Sequence, residues 1–237
     1  MVLSVVLPVY NEQSTIEGVI ADHQRILVSL GDRIGDWEIV CLDDASSDAT
    51  AEILGRLAHT VPKLRVLTHE TNQGIYVSFR DLFEAARGTH IYLTASDGQW
   101  PASNLTKMFA TLESGADLVV GVRANRSQVY SLSRRVVSYL FNLLPWMLFG
   151  VETADAGSIK LGVREVFNFG LISRSPFVEA ERIIQAQSRG FRVAFTPIEF
   201  LTRTAGKERG ASWRNVRRSI IDCFRCLGAY GFRPYSD

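Results

Sequence analysis

Short apolar runs alternate with longer amphipathic stretches through the first half of this chain. Ser4 to Pro8, Trp37 to Leu42, Leu64 to Thr68, Ile91 to Thr94 and Asp117 to Val122 are nearly continuous in hydrophobic residues, the pattern of strands covered on both faces. Between them, Thr15 to Leu30, Asp48 to Leu57, Ile75 to Ala86 and Asn104 to Ser114 carry apolar residues three and four apart, the spacing of one helix face. Ser46, Ser47 or Asp48 can cap the second helix. The alternation predicts an α/β chain with a mostly parallel sheet and helices on both faces. After Val122 the pattern changes to a basic stretch, Arg123 to Arg135, and an apolar run, Tyr139 to Val151. A helix near Val178 to Arg189 and a strand near Arg192 to Pro197 follow.

The end of the chain reads as one more helix. On a helical wheel Trp213, Val216, Ile220, Phe224 and Leu227 fall on one side, with Arg214, Arg218 and Arg225 on another, which makes a basic amphipathic helix. No repeat or low-complexity linker interrupts the 237 residues, so one domain over residues 1–210 is expected, with residues 211–237 part of it or peripheral to it.

Composition narrows the function. Twenty-six basic and 25 acidic residues leave a formal charge of +1, so no nucleic-acid partner is indicated and any electrostatic work is local. Cys41, Cys223 and Cys226 are too few for a secreted disulfide framework, and the lone Cys223-x-x-Cys226 has no second pair to complete a zinc site. The first strand starts next to Met1 without a signal-peptide pattern, and the apolar run is too short to span a bilayer. The expected location is the cytoplasm.

In parallel sheets of this kind, ligands bind beyond the C-terminal strand ends. There the chain carries Pro8-Val9-Tyr10-Asn11-Glu12, then Asp43-Asp44 with Ser46 and Asp48, and then Ala95-Ser96-Asp97-Gly98-Gln99. Carboxylates can accept from a base N–H or ribose hydroxyls, and Pro8 or Tyr10 can wall a base. No G-x-G-x-x-G and no P-loop is present, so phosphates need another holder. Asp97 and Gln99, two apart in an extended segment, would aim oxygens the same way at Mg²⁺ or Mn²⁺ shared with a diphosphate. Arg203, Lys207 and Arg209, in a glycine-bearing segment, supply cations that can close over phosphates.

Together with Asn72-Gln73-Gly74, and in this order, these segments resemble the family 2 glycosyltransferases of the Rossmann-like GT-A fold. The likeness is to the branch of dolichol-phosphate mannose synthase and the polyprenyl-phosphate glycosyltransferases, and it covers about the first 210 residues. It implies an inverting enzyme that takes a sugar from a GDP- or UDP-sugar and gives it to a polyprenyl or dolichyl phosphate. It further implies a donor site of Pro8, Tyr10, Glu12, Asp43, Asp44, Asn72, Gly74, Ser96 and Asp97, with Arg203 and Lys207 clamping the diphosphate. Asp97 and Gln99 would hold the metal, and Asp97, Asp155, Glu181 and Arg203 would form the catalytic group.

Two departures stand out. Ala95 occupies the place of the family's usual first aspartate, and Asp155 stands five rather than six residues before Lys160. Arg134 and Arg135, next to the apolar run, with Ser158 and Lys160 suit an acceptor phosphate bearing an apolar chain, and the C-terminal helix suits peripheral membrane contact. Two other readings stay open: a soluble glycosyltransferase acting on a small-molecule or protein hydroxyl, with Asp155 or Glu181 as base, and a catalytically silent nucleotide-binding module.

Overall fold

The computed structural model describes residues 1–124, 143–202 and 213–231. Seven strands form one sheet: β1 (Val2–Val9), β2 (Asp36–Asp43), β3 (Leu64–Thr68), β4 (His90–Leu93), β5 (Leu118–Arg123), β6 (Lys160–Val163) and β7 (Val193–Ile198), in the order β3-β2-β1-β4-β6-β5-β7. All neighbours are parallel except at β6, which runs antiparallel to both β4 and β5. The five strands predicted in the first half are present, and the predicted last strand is β7.

The strand that periodicity does not predict is β6, only four residues long and interrupted by Gly162. That glycine is required by packing: a Cβ there would sit 2.5 Å from the Asp117 carbonyl oxygen and 3.1 Å from Leu118 Cα. The reversal at β6 brings residues 153–160, which precede it, to the same end of the sheet as the C-termini of β4 and β5, because Lys160 pairs with Leu93 and Val120.

Helices cover both faces: α1 (Ile16–Leu30), α2 (Thr50–Thr60), α3 (Ile75–Ala85), α4 (Ser103–Glu113), α5 (143–149), α6 (Arg164–Phe167), α7 (Val178–Ser188) and α8 (Trp213–Tyr230). Side chains alternate across each strand. Thus Leu3, Val5, Leu7 and Val9 of β1 pack with α1, α2 and α4, whereas Val6 points into a second core with α3, α6, α7 and α8. The residue flanking α2 is Ala49, which makes no side-chain cap bond. Asp48, one residue earlier, caps the helix instead, its Oδ1 accepting from Thr50 N at 2.9 Å.

The C-terminal helix is amphipathic in a different sense from the expected one. The face turned inward carries Ser219, Asp222, Cys223 and Cys226, while Ile220, Ile221 and Phe224 are 44%, 44% and 56% exposed. Arg217, Arg218 and Arg225 share that outer face. The apolar wheel positions are split because small inward side chains let the helix lie close to the protein. Burial pushes the thiols of Cys223 and Cys226 up, to about 11 and about 12, so both stay protonated at neutral pH.

Candidate active site

The chain turns sharply at three places around the C-terminal strand ends. Asn11 (φ 56°), Ala45 (φ 58°) and Asp155 (φ 55°) are the non-glycine residues in the left-handed region among those described. This conformation is unfavourable for residues with a Cβ, and it concentrates at functional sites. Bonds between loops offset the strain. Asn11 N donates to Ser46 Oγ at 2.9 Å, Ser47 N donates to Asn11 Oδ1 at 2.8 Å, and Glu12 N donates to Thr50 Oγ1 at 2.9 Å. The loop after β1 is thereby locked to the loop after β2.

Between these loops and α3 lies a cleft of about 420 Å³. Of the expected donor-site residues it brings together Pro8, Tyr10, Glu12, Asp44, Asn72, Gly74, Ser96 and Asp97. Val9, Asn11, Ile75, Ser78 and Ala95 line it as well. Ile75 and Ser78 belong to no motif, and the periodicity of α3 marks it only as a packing helix. Its first turn nevertheless faces the cleft, and the signal for that in the sequence is the Gly74 that opens it.

Asp43 and Asp44 divide the work of holding these loops. Asp43, behind the cleft, accepts from Ser46 N at 3.2 Å and from Ser46 Oγ, which fixes the serine that in turn holds Asn11. Asp44 lines the cleft and accepts from Gln73 N and Gly74 N, both at 2.8 Å, one on each carboxylate oxygen. Asn72 Nδ2 donates to the Asp44 carbonyl at 3.1 Å. His69 sits behind, with Nδ1 2.7 Å from Asp44 Oδ1 and Nε2 3.0 Å from Asp81 Oδ2. The Asp44 hydrogen bond raises the imidazole above its ordinary value; burial opposes this, and Asp81 adds to it. The Asn72-Gln73-Gly74 motif is therefore an anion-held loop anchored on Asp44.

Asp97 occupies a bend, not the extended segment expected, because Gly98 takes φ 71°. Asp97 Oδ1 accepts from Gln99 N at 3.0 Å, while Gln99 Nε2 donates to the Leu201 carbonyl at 3.1 Å. Leu201 N donates back to the Gln99 carbonyl at 2.9 Å, so the chain leading on toward residue 203 is pinned beside Asp97. Ser96 Oγ donates to the Pro8 carbonyl at 2.8 Å, and Thr15 Oγ1 donates to the Ser96 carbonyl at 2.8 Å. Ser96 thus ties the end of β4 to β1. Among the described residues no three His, Cys, Asp or Glu side chains cluster as a metal-binding group. Asp97 and Gln99 offer hard oxygen donors, which fits Mg²⁺ or Mn²⁺ completing its shell with phosphate and water.

Among the described residues, Asp155, Ser158, Lys160 and Glu181 do not line this cleft. Asp155, 3% exposed, accepts from Arg123 N at 2.9 Å and from the Arg123 guanidinium, Nε reaching Oδ2 at 2.9 Å. Arg123 in turn lies over Phe200 at 5.1 Å and Trp100 at 5.5 Å. Lys160 is fully buried; its ammonium donates to the Ala156 carbonyl and to the Ser158 carbonyl at 3.0 Å, and pairs with Glu179 at 2.7 Å. Ser158 is buried too. Glu181 accepts from Ile172 N (2.8 Å), Ser173 N (2.9 Å) and the Tyr230 hydroxyl (2.6 Å), which fastens α7 to α8. Arg134, Arg135, Arg203 and Lys207 lie outside the described residues.

Known proteins share this architecture. Glucosyl-3-phosphoglycerate synthase from Mycobacterium tuberculosis, solved with Mn²⁺, UDP and glucosyl-3-phosphoglycerate, superposes with a TM-score of 0.67 at 20% identity, covering 96% of this chain and 80% of that one. The same enzyme with Mg²⁺ and UDP gives 0.63 at 19% identity over 96% and 79%. The fold is thus the GT-A α/β fold. In sequence, a Salmonella paratyphi B protein named undecaprenyl-phosphate 4-deoxy-4-formamido-L-arabinose transferase is 32% identical over 228 residues, 93% of this chain and 67% of that protein. Its namesake from Pseudomonas fluorescens is 28% identical over 242 residues, 97% of this chain and 68% of its own length. The sequence profile of Glycosyl transferase family 2 matches residues 4–176. This chain belongs to glycosyl transferase family 2.

Proposed function

We propose that the chain is an inverting glycosyltransferase that moves a sugar from a GDP- or UDP-sugar to a polyprenyl phosphate. The observation that carries the reading is the donor cleft itself, with Tyr10, Asp44, Gly74 and Asp97 gathered at the C-terminal strand ends in a family whose sequence relatives are named for transfer to undecaprenyl phosphate. Pro8 and Tyr10 wall the base, and the carboxylates of the cleft accept from base or ribose. Asp97, with the Gln99 side-chain oxygen, would hold Mg²⁺ or Mn²⁺, which supplies positive charge against the departing diphosphate. Arg203 and Lys207 would add cations to the same diphosphate.

The acceptor phosphate needs no strong base, since its second ionisation lies near pH ~6 and the attacking oxygen is already anionic at neutral pH. That agrees with the engagement of Asp155 by Arg123 and of Glu181 by backbone N–H groups. One phosphate oxygen bonds to the anomeric carbon as the bond to the nucleoside diphosphate breaks on the opposite face, giving one inversion. The site then has mainly to align the two substrates and neutralise charge.

Membrane contact completes the reading. Among the described residues no helix is long and apolar enough to cross a bilayer, but the outer face of α8 pairs Ile220, Ile221 and Phe224 with three arginines, a composition suited to lying at an anionic lipid surface. The test is transfer by the purified protein from a panel of UDP- and GDP-sugars to undecaprenyl phosphate with Mg²⁺ or Mn²⁺, read by mass spectrometry. A sugar-phospholipid product that Asp97→Ala abolishes is expected. Nucleotide binding without lipid product in the wild type would reject the acceptor.

A further inference from the structure

Three consecutive residues after β7 are each fastened to a different part of the protein. Glu199 exchanges two hydrogen bonds with the buried Asn104 side chain of α4: Glu199 N donates to Oδ1 at 3.0 Å, and Nδ2 donates to the Glu199 carbonyl at 2.8 Å. Phe200 packs on Trp100 with ring centroids 4.6 Å apart, and the Arg123 guanidinium lies over both rings. Leu201 is paired with Gln99 in both directions. Connecting segments are usually the mobile parts of a fold, whereas this one is held at every residue from 199 to 201.

The tie at Phe200 has the longest support. Asp155 accepts from Arg123 N and from Arg123 Nε, each at 2.9 Å, and again from Nη2. Contacts to two nitrogens of the planar guanidinium fix its orientation as well as its position, and so fix the surface it offers to the two rings. Asp155 is in turn held in its left-handed conformation. Ser158 N donates to the Asp155 carbonyl at 2.8 Å, and the buried Lys160 ammonium takes the carbonyls of Ala156 and Ser158. Glu179 of α7 secures Lys160 at 2.7 Å. A strained turn kept by this many bonds is characteristic of a side chain that has to stay in one place.

Neither Arg123 nor Asp155 lines the donor cleft, yet both connect to its phosphate side. Trp100 and Phe200 adjoin Gln99 and Leu201 in the chain. The Leu201 carbonyl accepts from Gln99 Nε2 at 3.1 Å, which leaves the oxygen of that amide as the end available to a cation. Gln99 N holds Asp97 Oδ1 at 3.0 Å, and the chain runs on from Leu201 toward Arg203. The opposite side of the cleft is kept by a separate set of bonds, Asn11 with Ser46 and Ser47, and Asp44 with Gln73 and Gly74.

We propose that Arg123 is a positioning residue of the donor site: clamped by Asp155, it sets the Trp100–Phe200 pair and thereby aligns Asp97, Gln99 and the segment leading to Arg203 on the diphosphate and its metal. The assignment rests on the transfer reading above and gives Asp155 a part in donor binding in place of proton transfer. It divides donor recognition in two: base and ribose contacts that do not need Arg123, and metal–diphosphate contacts that do.

The experiment uses the full chain and measures by calorimetry the binding of UDP and GDP, each with and without Mn²⁺. Asp155→Asn keeps a residue that tolerates the left-handed backbone and removes the charge. Arg123→Lys keeps the charge and removes the plane, and Phe200→Leu leaves the ion pair in place. All three are expected to weaken binding with Mn²⁺ by about 10- to 100-fold, the scale on which groups behind metal ligands act, while metal-free binding stays at the wild-type level. In Asp155→Asn, kcat should keep its wild-type dependence on pH. Four results would each overturn the assignment while leaving the transfer reading intact. These are Mn²⁺-dependent binding unchanged in any variant, an equal loss with and without metal, which marks a merely structural role, a pH profile that loses the limb of a base, and a raised KM for polyprenyl phosphate with donor binding intact, which would put Arg123 on the acceptor. A wild type that binds neither nucleotide would overturn both readings.

Discussion

Asp44 commits both carboxylate oxygens to the backbone of Gln73 and Gly74, so the shape of the donor cleft depends on this carboxylate and on His69 behind it. The imidazole is raised by its Asp44 bond. A group raised on folding contributes stability that is fully present below its unfolded value, near 6.5, and lost as pH rises through the folded value. Urea denaturation between pH 6 and 9 should therefore show the wild type losing its advantage over His69→Gln as pH rises; parallel curves would reject the coupling. Gly74 opens α3 at φ 86° and ψ 160°, a region nearly closed to other residues, and an added Cβ would meet nothing within 4 Å. Gly74→Ala thus tests backbone strain alone. It should cost about 1–3 kcal/mol, measured by the same denaturation, and should weaken nucleotide binding.

At the scale of elements, the site depends on how loops are tied to one another. Strand β6 is the example that sequence did not disclose. Four residues with a glycine give no periodicity, and the strand exists because β4 and β5 both offer it an unpaired edge. Helix α8 is the opposite case: its existence was legible, but which face docks was not. Small residues, Ser219 and two cysteines, bring it close to the second core, where Leu227 and Tyr230 also pack, while Ile220, Ile221 and Phe224 point outward. Phe224→Asp should abolish flotation with anionic vesicles while changing unfolding free energy by less than about 1 kcal/mol, as expected of an exposed position. Loss of stability instead would mean that the outer face is covered in solution.

At the scale of the whole molecule, loops after β1, β2 and β4 close on one cleft, so a ligand there should stabilise the entire domain. At a concentration about one hundred times its Kd, a nucleoside diphosphate with Mn²⁺ adds about 2.7 kcal/mol by mass action, which for a chain of this size raises Tm by about 5–10 °C. Calorimetry should show that shift in the wild type and a much smaller one in Asp97→Ala. Equal shifts in both would remove Asp97 from the binding site.

The strands and helices of the first half, the polar strand ends and the motif residues that wall the cleft were determined by the sequence itself. Each depends on local periodicity, or on short motifs whose members lie within a few residues of one another. Partnership across the chain was decided by the tertiary structure alone. Asp155 meets Arg123, 32 residues earlier, Lys160 meets Glu179, and Glu181 meets a loop and the hydroxyl of Tyr230. The sequence shows that these groups are charged, but a buried charge takes whichever partner the packing brings within reach. That depends on how β6 inserts and where α8 docks, and no spacing along the chain records it.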